Sequence, residues 1–366
     1  MTGNRRKAGI DLLRIVSMCM IIVIHMNGYG KASEMIDAFS LKYFCSRIFV
    51  FFVACSVNVY AMISGYVGCT KTTSGYSVRK FLKLWSWVLF YSVFLMMLFK
   101  IIYPEQIGRR QMIEAVFPAM SMQYWYFTCY IPVLFLMPYL NIFITKMDII
   151  SMRKLINLLF LLFSVIPWVF QTDWFGLDDG FSAFWLIILY LFGAWIRKEM
   201  EETESLFAKW KKSRLLFALA GLILIQVLLR YTLDKVGVVI GADSGLMHDF
   251  GSYTSPFIVM EACVMLLLFA KLEISQVKCS TIISQIGAAS FGVYLIHDNQ
   301  FVRQYIMMDR FVRVGQLNPI AYVFAMLGGA VGIYVCCAAV ELVRKFVGCG
   351  IKNMFVLIRQ RRNGIQ

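Results

Sequence analysis

Charge is scarce in this chain. Asp, Glu, Lys and Arg make up 16% of its 366 residues, where a soluble domain carries about a quarter. That shortfall excludes an ordinary water-soluble enzyme and a disordered scaffold, both of which need a solvated polar surface. Histidine is rarer still, with three copies. With so few imidazoles, no CxxC pair and no Cys/His cluster at ligand spacing, the sequence offers no framework for a metal. The ten cysteines do not form a disulfide pattern either. Cys19, Cys55, Cys129, Cys263, Cys336 and Cys337 sit inside apolar runs, where cysteine packs as a small hydrophobe. No GxGxxG, Walker A or HExxH pattern occurs.

Apolar residues fill the space that charge leaves: 60% of the chain, at a mean hydropathy of +0.70. Runs long enough to cross a hydrocarbon core of about 30 Å recur ten times. Their approximate bounds are 10–29, 44–67, 81–102, 123–144, 155–170, 181–196, 214–230, 254–270, 281–299 and 319–343. The expected fold is therefore an all-α membrane protein, a bundle of about ten transmembrane helices forming one integral-membrane domain over 1–366. The longest polar connector, 197–213, has mixed charge and reads as a surface helix. The chain opens with Arg5, Arg6 and Lys7 before an apolar run, as a signal peptide would. It lacks the small-residue cleavage pattern, so a retained first helix is expected.

The net charge of +15 would point to nucleic acid in a soluble protein. No stretch here alternates basic and aromatic residues as a nucleic-acid platform does. In a membrane protein the same excess marks cytoplasmic loops. With the N-terminus inside, twenty-four Lys and Arg fall on the inner segments and eleven on the outer ones. That asymmetry predicts both termini in the cytoplasm.

Ionisable residues inside a spanning helix are costly, and so they point to function. The first helix holds Asp11, Arg14 and His25. Arg14 and His25 are eleven steps apart, roughly 20° around the axis and about 16 Å along it. Asp11 lies within about 60° of both, so the three share one stripe. Asp11 and Arg14 can also simply neutralise each other as an i,i+3 pair at the inner interface. His25 is the residue type that titrates, unperturbed, near neutrality.

These residues carry a resemblance. The pattern DxLRx(10)H, read here as Asp11, Arg14 and His25, resembles the first helix of the acyltransferase-3 family of integral-membrane acyltransferases. Four further landmarks follow in order. Asn58 to Val67 resembles that family's second helix ending in Ser-Gly-Tyr, and Arg79 to Trp85 resembles its basic RxxR-type motif. Gln123 to Asn141 resembles its tryptophan-tyrosine helix, and Ser290 to His297 its penultimate helix. One departure stands out. The motif's arginines are lysines here, Lys80 and Lys83, which lack the bidentate fork of Arg.

The resemblance implies an O-acetyltransferase, transferring groups other than aminoacyl groups, in the bacterial cytoplasmic membrane. It would move an acyl group, typically acetyl, from acyl-CoA to a hydroxyl of a cell-envelope glycan or lipid-linked sugar. Chemistry agrees with the residues present. A sugar hydroxyl is a poor nucleophile at neutral pH, and His25 is the natural base to take its proton, with Asp11 the second catalytic candidate. Donor phosphates call for a basic inner mouth, which Arg14, Lys80 and Lys83 supply. Trp125 and Tyr126 are candidates for the donor-binding wall, although on the residues alone an interfacial aromatic belt is the favoured reading. On the acceptor side stand His297, Ser290 one face-repeat earlier, and the intramembrane carboxylate Glu261. His248, beside Asp249 in the 232–253 loop, reads as solvated rather than catalytic.

No tightly bound cofactor is expected; acyl-CoA is a substrate. The expected partners are acyl-CoA, the sugar acceptor and membrane lipids, and homo-oligomeric association is compatible with the sequence. A competing reading is a transporter on the same scaffold. The membrane half of glycopeptide-resistance serine racemases is acyltransferase-3-like and is thought to handle serine. His25 with a basic mouth discriminates the two, since serine passage needs neither.

Overall fold

The computed structural model describes residues 8–70, 74–202, 205–240 and 251–363. Arg5, Arg6, Lys7, Lys71, His248 and Asp249 lie outside the described residues. Among those described there is no strand, and each of the ten expected spans coincides with a helix. The ten are α1 (Ala8–Gly28), α2 (Leu41–Gly68), α3 (Ser74–Ile102), α4 (Trp125–Lys146) and α5 (Ile149–Phe170). They continue with α6 (Ala183–Glu199), α7 (Lys212–Ile240), α8 (Pro256–Ala270), α9 (Val277–His297) and α10 (Pro319–Asn363). Eight are long and apolar enough to cross a membrane. The sixth and eighth, α6 with 17 residues and α8 with 15, are shorter.

Local chemistry sets the helix starts. The Ser40 hydroxyl accepts from the Tyr43 amide at 3.0 Å, and the Asp148 carboxylate accepts from the Ser151 amide at 2.9 Å. Ser182 caps α6 in the same way, through the Trp185 amide at 3.2 Å. Each satisfies one of the donors a helix N-terminus leaves free. Pro256 and Pro319 occupy first-turn positions, where no amide proton is missed. Three spans are not smooth rods, α5 carrying a π turn over Leu161–Val165. α2 breaks at Cys55 and α9 at Ala288–Ala289, which a bundle tolerates when neighbours satisfy the freed backbone.

Successive helices run antiparallel, and their contacts sort into two ends. At one end Arg153 Nε meets Glu199 Oε1 at 2.5 Å, and Lys271 Nζ donates to the Phe207 carbonyl at 2.6 Å. Lys345 Nζ donates to the Ala288 carbonyl at 3.1 Å there. At the opposite end the Phe311 amide donates to the Gly30 carbonyl at 3.0 Å, and the Tyr253 amide to the Asp179 carbonyl at 3.0 Å. An even number of traverses brings Ala8 and Lys345 to the same end.

The tightest helix crossing lies between α2 and α6. A Cβ on Gly65 would stand 1.9 Å from the Tyr190 carbonyl oxygen, and one on Gly193 would stand 1.9 Å from that of Met62. Only glycine fits at either position, and small residues are how helices approach closely within lipid. The glycine of the Ser-Gly-Tyr landmark thus has a packing reason.

The connector 197–213 departs from expectation. It is not a surface helix: α6 ends at Glu199, and the described residues before Lys212 form turns. Glu199 is fully buried and binds Arg153 through both carboxylate oxygens, while its Oε2 also accepts from the Leu206 amide at 3.2 Å. Lys271 ties down the Phe207 and Trp210 carbonyls. Buried charge pairing folds the segment back over the bundle, against its local helical pattern.

Candidate functional site

Arg14 sits half-buried on α1, one turn after Asp11, which is buried and ion-paired with it. The guanidinium faces a cavity of about 270 Å³, walled by α1, α2, α3 and α4 and by Phe291 of α9. Lys80 joins it from α3, donating to the Tyr130 hydroxyl at 3.0 Å. Two cations thus converge on one concavity, which suits an anionic group. Lys83 does not line it. That side chain is exposed, with its ammonium 5.3 Å from the ring centre of Trp87. Residues three apart on a helix diverge when only one of them turns inward.

Further along α1, His25 lines a second cavity of about 30 Å³ with Met18, Ile21, Val57, Tyr60, Trp125, Tyr126, Tyr253, Tyr294 and Asp298. Tyr60 and Tyr126 belong to both cavities. Arg14 and His25 thus open into neighbouring cavities that share Tyr60 and Tyr126 as wall residues.

His25 is held within a ring of groups. Its Nδ1 lies 3.6 Å from Asp298 Oδ1, and the imidazole sits 5.1 Å from that of His297 and 5.3 Å from the Tyr29 ring. Asp298 is 2% exposed and also faces Arg303, whose Nη1 is 3.4 Å away. Arg303 donates to the Tyr29 hydroxyl at 2.7 Å, which closes the circuit back to His25. The turn carrying Asp298 is itself fixed. Asn299 Nδ2 donates to the Tyr124 hydroxyl at 2.8 Å, and Tyr124 donates to the Leu295 carbonyl at 2.9 Å.

The histidine tautomers follow from their partners. His297 Nδ1 lies 2.7 Å from the Val293 carbonyl oxygen. A carbonyl can only accept, so Nδ1 carries the proton and Nε2 has a bare lone pair. In His25 the carboxylate beside Nδ1 favours the proton there, which leaves Nε2 as the basic nitrogen. Buried polar atoms in proteins are nearly always hydrogen-bonded. Here His25 Nδ1, His297 Nε2 and the hydroxyls of Tyr126 and Tyr294 are buried with no hydrogen-bond partner among the described residues. His25, Tyr126 and Tyr294 border the small cavity, and the His297 ring packs directly on His25. These atoms cluster around the small cavity and the His25–His297 ring contact.

Other candidates lie elsewhere. Asp11 is separated from His25 by fourteen residues of helix, a rise of about 21 Å, and contacts Arg14 instead. Trp125 borders the His25 cavity and not the Arg14 one; its ring packs on Phe181 at 4.5 Å and lies parallel to Tyr253 at 6.3 Å. Ser290 is buried and shares a 3.0 Å hydrogen bond with the Tyr334 hydroxyl, toward α10. Glu261 is buried on α8 and accepts from Gln226 of α7, outside both cavities. Residue order alone does not single out Tyr60, Tyr130, Tyr253, Tyr294, Arg303, Tyr29 or Asp298. A carboxylate directly after a helix-terminal histidine was the one available signal.

Comparison with known proteins agrees with the landmarks. Residues 7–339 match the family model described as an acyltransferase domain, of the acyltransferase-3 type. No curated protein and no solved structure matches the chain.

Proposed function

The chain belongs to the acyltransferase-3 family and is a multi-pass membrane acyltransferase, and from that premise we propose that it acetylates sugar hydroxyls. The donor is acyl-CoA on the cytoplasmic side, and the acceptor is a cell-envelope glycan or a lipid-linked sugar at the bacterial cytoplasmic membrane. The observation that carries this reading is the pair of chambers on α1. One holds the cations Arg14 and Lys80, the other holds His25, and Tyr60 and Tyr126 wall both.

Each residue then has a task. Arg14, kept in place by Asp11, and Lys80 bind the donor phosphates. The thioester reaches the His25 chamber while the nucleotide stays at the mouth. His25 Nε2 takes the proton of the sugar hydroxyl as its oxygen attacks the thioester carbonyl. Asp298 keeps the Nδ1 proton and stabilises the imidazolium that forms, as an orienting carboxylate does in a catalytic triad. The hydroxyls of Tyr126 and Tyr294 donate to the oxyanion of the tetrahedral intermediate. When the C–S bond breaks, the imidazolium returns its proton to the departing thiolate, so the products are the O-acetyl sugar and free CoA. His297 packs against the His25 ring and holds it in place, and Trp125, at the small cavity, serves the acceptor side. Ser290 and Glu261 hold helices together.

The test is formation of acetyl ester on envelope glycan by membranes containing the chain and labelled acetyl-CoA, with CoA release measured in parallel. Acetyl ester that depends on the chain supports the reading. Saturable uptake of labelled serine, with no ester formed, would favour the transporter instead.

A further inference from the structure

We propose that Tyr60 and Tyr126 set the length of the acyl group this protein transfers, admitting acetyl and turning away longer chains. The inference rests on the donor and base assigned above and adds what limits the substrate. The two cavities on α1 are unequal, about 270 Å³ at Arg14 and about 30 Å³ at His25. Their common wall is made of two rings, with centroids 5.8 Å apart and planes inclined at 75°. That is edge-to-face contact. An acyl group carried from the Arg14 cavity toward His25 meets this shared pair.

One of the rings has little room to yield. Tyr126 is parallel to Tyr130 at 6.0 Å, meets Trp125 edge-on at 5.7 Å and borders Tyr294 at 6.3 Å. Tyr60 comes from α2 and has Tyr126 as its aromatic neighbour, so it is the more yielding half of the wall. Beyond the wall, a cavity of about 30 Å³ has space for about two water molecules, given the roughly 10–15 Å³ each needs. An acetyl group, with three heavy atoms, is on that scale. Each further methylene must displace a ring or a helix from a closely packed interior.

The experiment uses membranes from cells expressing the full chain, the cells' own envelope glycan as acceptor, and acetyl-CoA or butyryl-CoA as donor. Mass spectrometry of the glycan esters gives the acetyl-to-butyryl ratio. One excess methylene in an apolar pocket is worth about 10- to 200-fold. Wild type is therefore expected to prefer acetyl by about 100-fold or more, and Tyr60→Ala to reduce that preference to about tenfold or less. Tyr60→Phe keeps the ring and should keep the preference. Tyr60→Leu, which removes the ring but keeps an apolar side chain for packing, provides a second opening if Tyr60→Ala fails to accumulate. An undiminished preference in whichever opened variant accumulates would overturn the inference, as would a wild type that transfers butyryl as readily as acetyl. Absence of any acetyl ester with wild type would overturn the proposed function itself, a result distinct from an unchanged ratio.

Discussion

The imidazole of His25 and the carboxylate of Asp298 face each other across the α1–α9 boundary, with Nδ1 3.6 Å from Oδ1. They stand 273 residues apart in sequence. The separation is slightly long for a hydrogen bond, as catalytic contacts often are before substrate binds.

Asp298 is therefore expected to act as a positioning residue. Asp298→Asn keeps the shape and removes the charge that fixes the His25 tautomer. It should lower kcat for acyl transfer by about one to two orders of magnitude, with KM for acyl-CoA little changed. A variant that raised KM and spared kcat would place Asp298 in donor binding instead.

Donor affinity should divide unequally among the three cations. Arg14→Ala removes a half-buried charge that faces the cavity, and should raise KM for acyl-CoA by about tenfold or more, the equivalent of one charge-assisted hydrogen bond. Lys80→Ala should do less and Lys83→Ala least, because Lys83 is exposed over Trp87. Steady-state kinetics with acyl-CoA as the varied substrate ranks them. A rank order led by Lys83 would contradict the assigned mouth.

The bundle's weak point for substitution is the α2–α6 crossing. Gly65→Ala places a methyl 1.9 Å from the Tyr190 carbonyl oxygen, so the two helices must part. Overpacking of this kind costs about 1–3 kcal/mol, occasionally more. Thermal stability in detergent should fall clearly. Gly221→Ala on α7, where the added carbon meets nothing within 4 Å, is the matched control and should be near neutral. Equal stability in the two variants would contradict the packing described.

Gln226 is expected to matter for folding rather than chemistry. It is fully buried and donates to Glu261 between α7 and α8. Gln226→Leu leaves a buried carboxyl oxygen without its donor, at about 1–3 kcal/mol. The expected result is a lower melting temperature with kcat per folded molecule preserved. A fall in kcat at unchanged stability would move Glu261 into the reaction.

Much of this architecture could be read from residue order. Long apolar runs report the bilayer directly, so a helix stands at each of the ten expected spans, the last running on to Asn363. The α1 stripe was equally legible, because helical geometry alone aligns Arg14 with His25. What stayed hidden depends on distant pairing. Arg303 reads as one more loop cation until the fold sets it against Asp298 and Tyr29. Tyr60 is one aromatic among 57 Phe, Trp and Tyr, and nothing local marks it as a shared wall. The 197–213 connector misled for the opposite reason: its charges suggest a helix, while the buried Glu199 recruits Arg153 and folds the segment back.

The central claim is that His25 is the base that activates the acceptor hydroxyl. The most direct measurement is acetyl-ester formation on envelope glycan by His25→Ala membranes, at matched expression and with acetyl-CoA binding measured alongside. Binding should be little changed, since Arg14 lies about 16 Å away along the helix and Lys80 lines the Arg14 cavity and not that of His25. Transfer should fall by at least about a hundredfold, the usual range for a lost general base. If His25→Ala transferred acetyl at the wild-type rate, the base would lie elsewhere, with the bare Nε2 of His297 next in line.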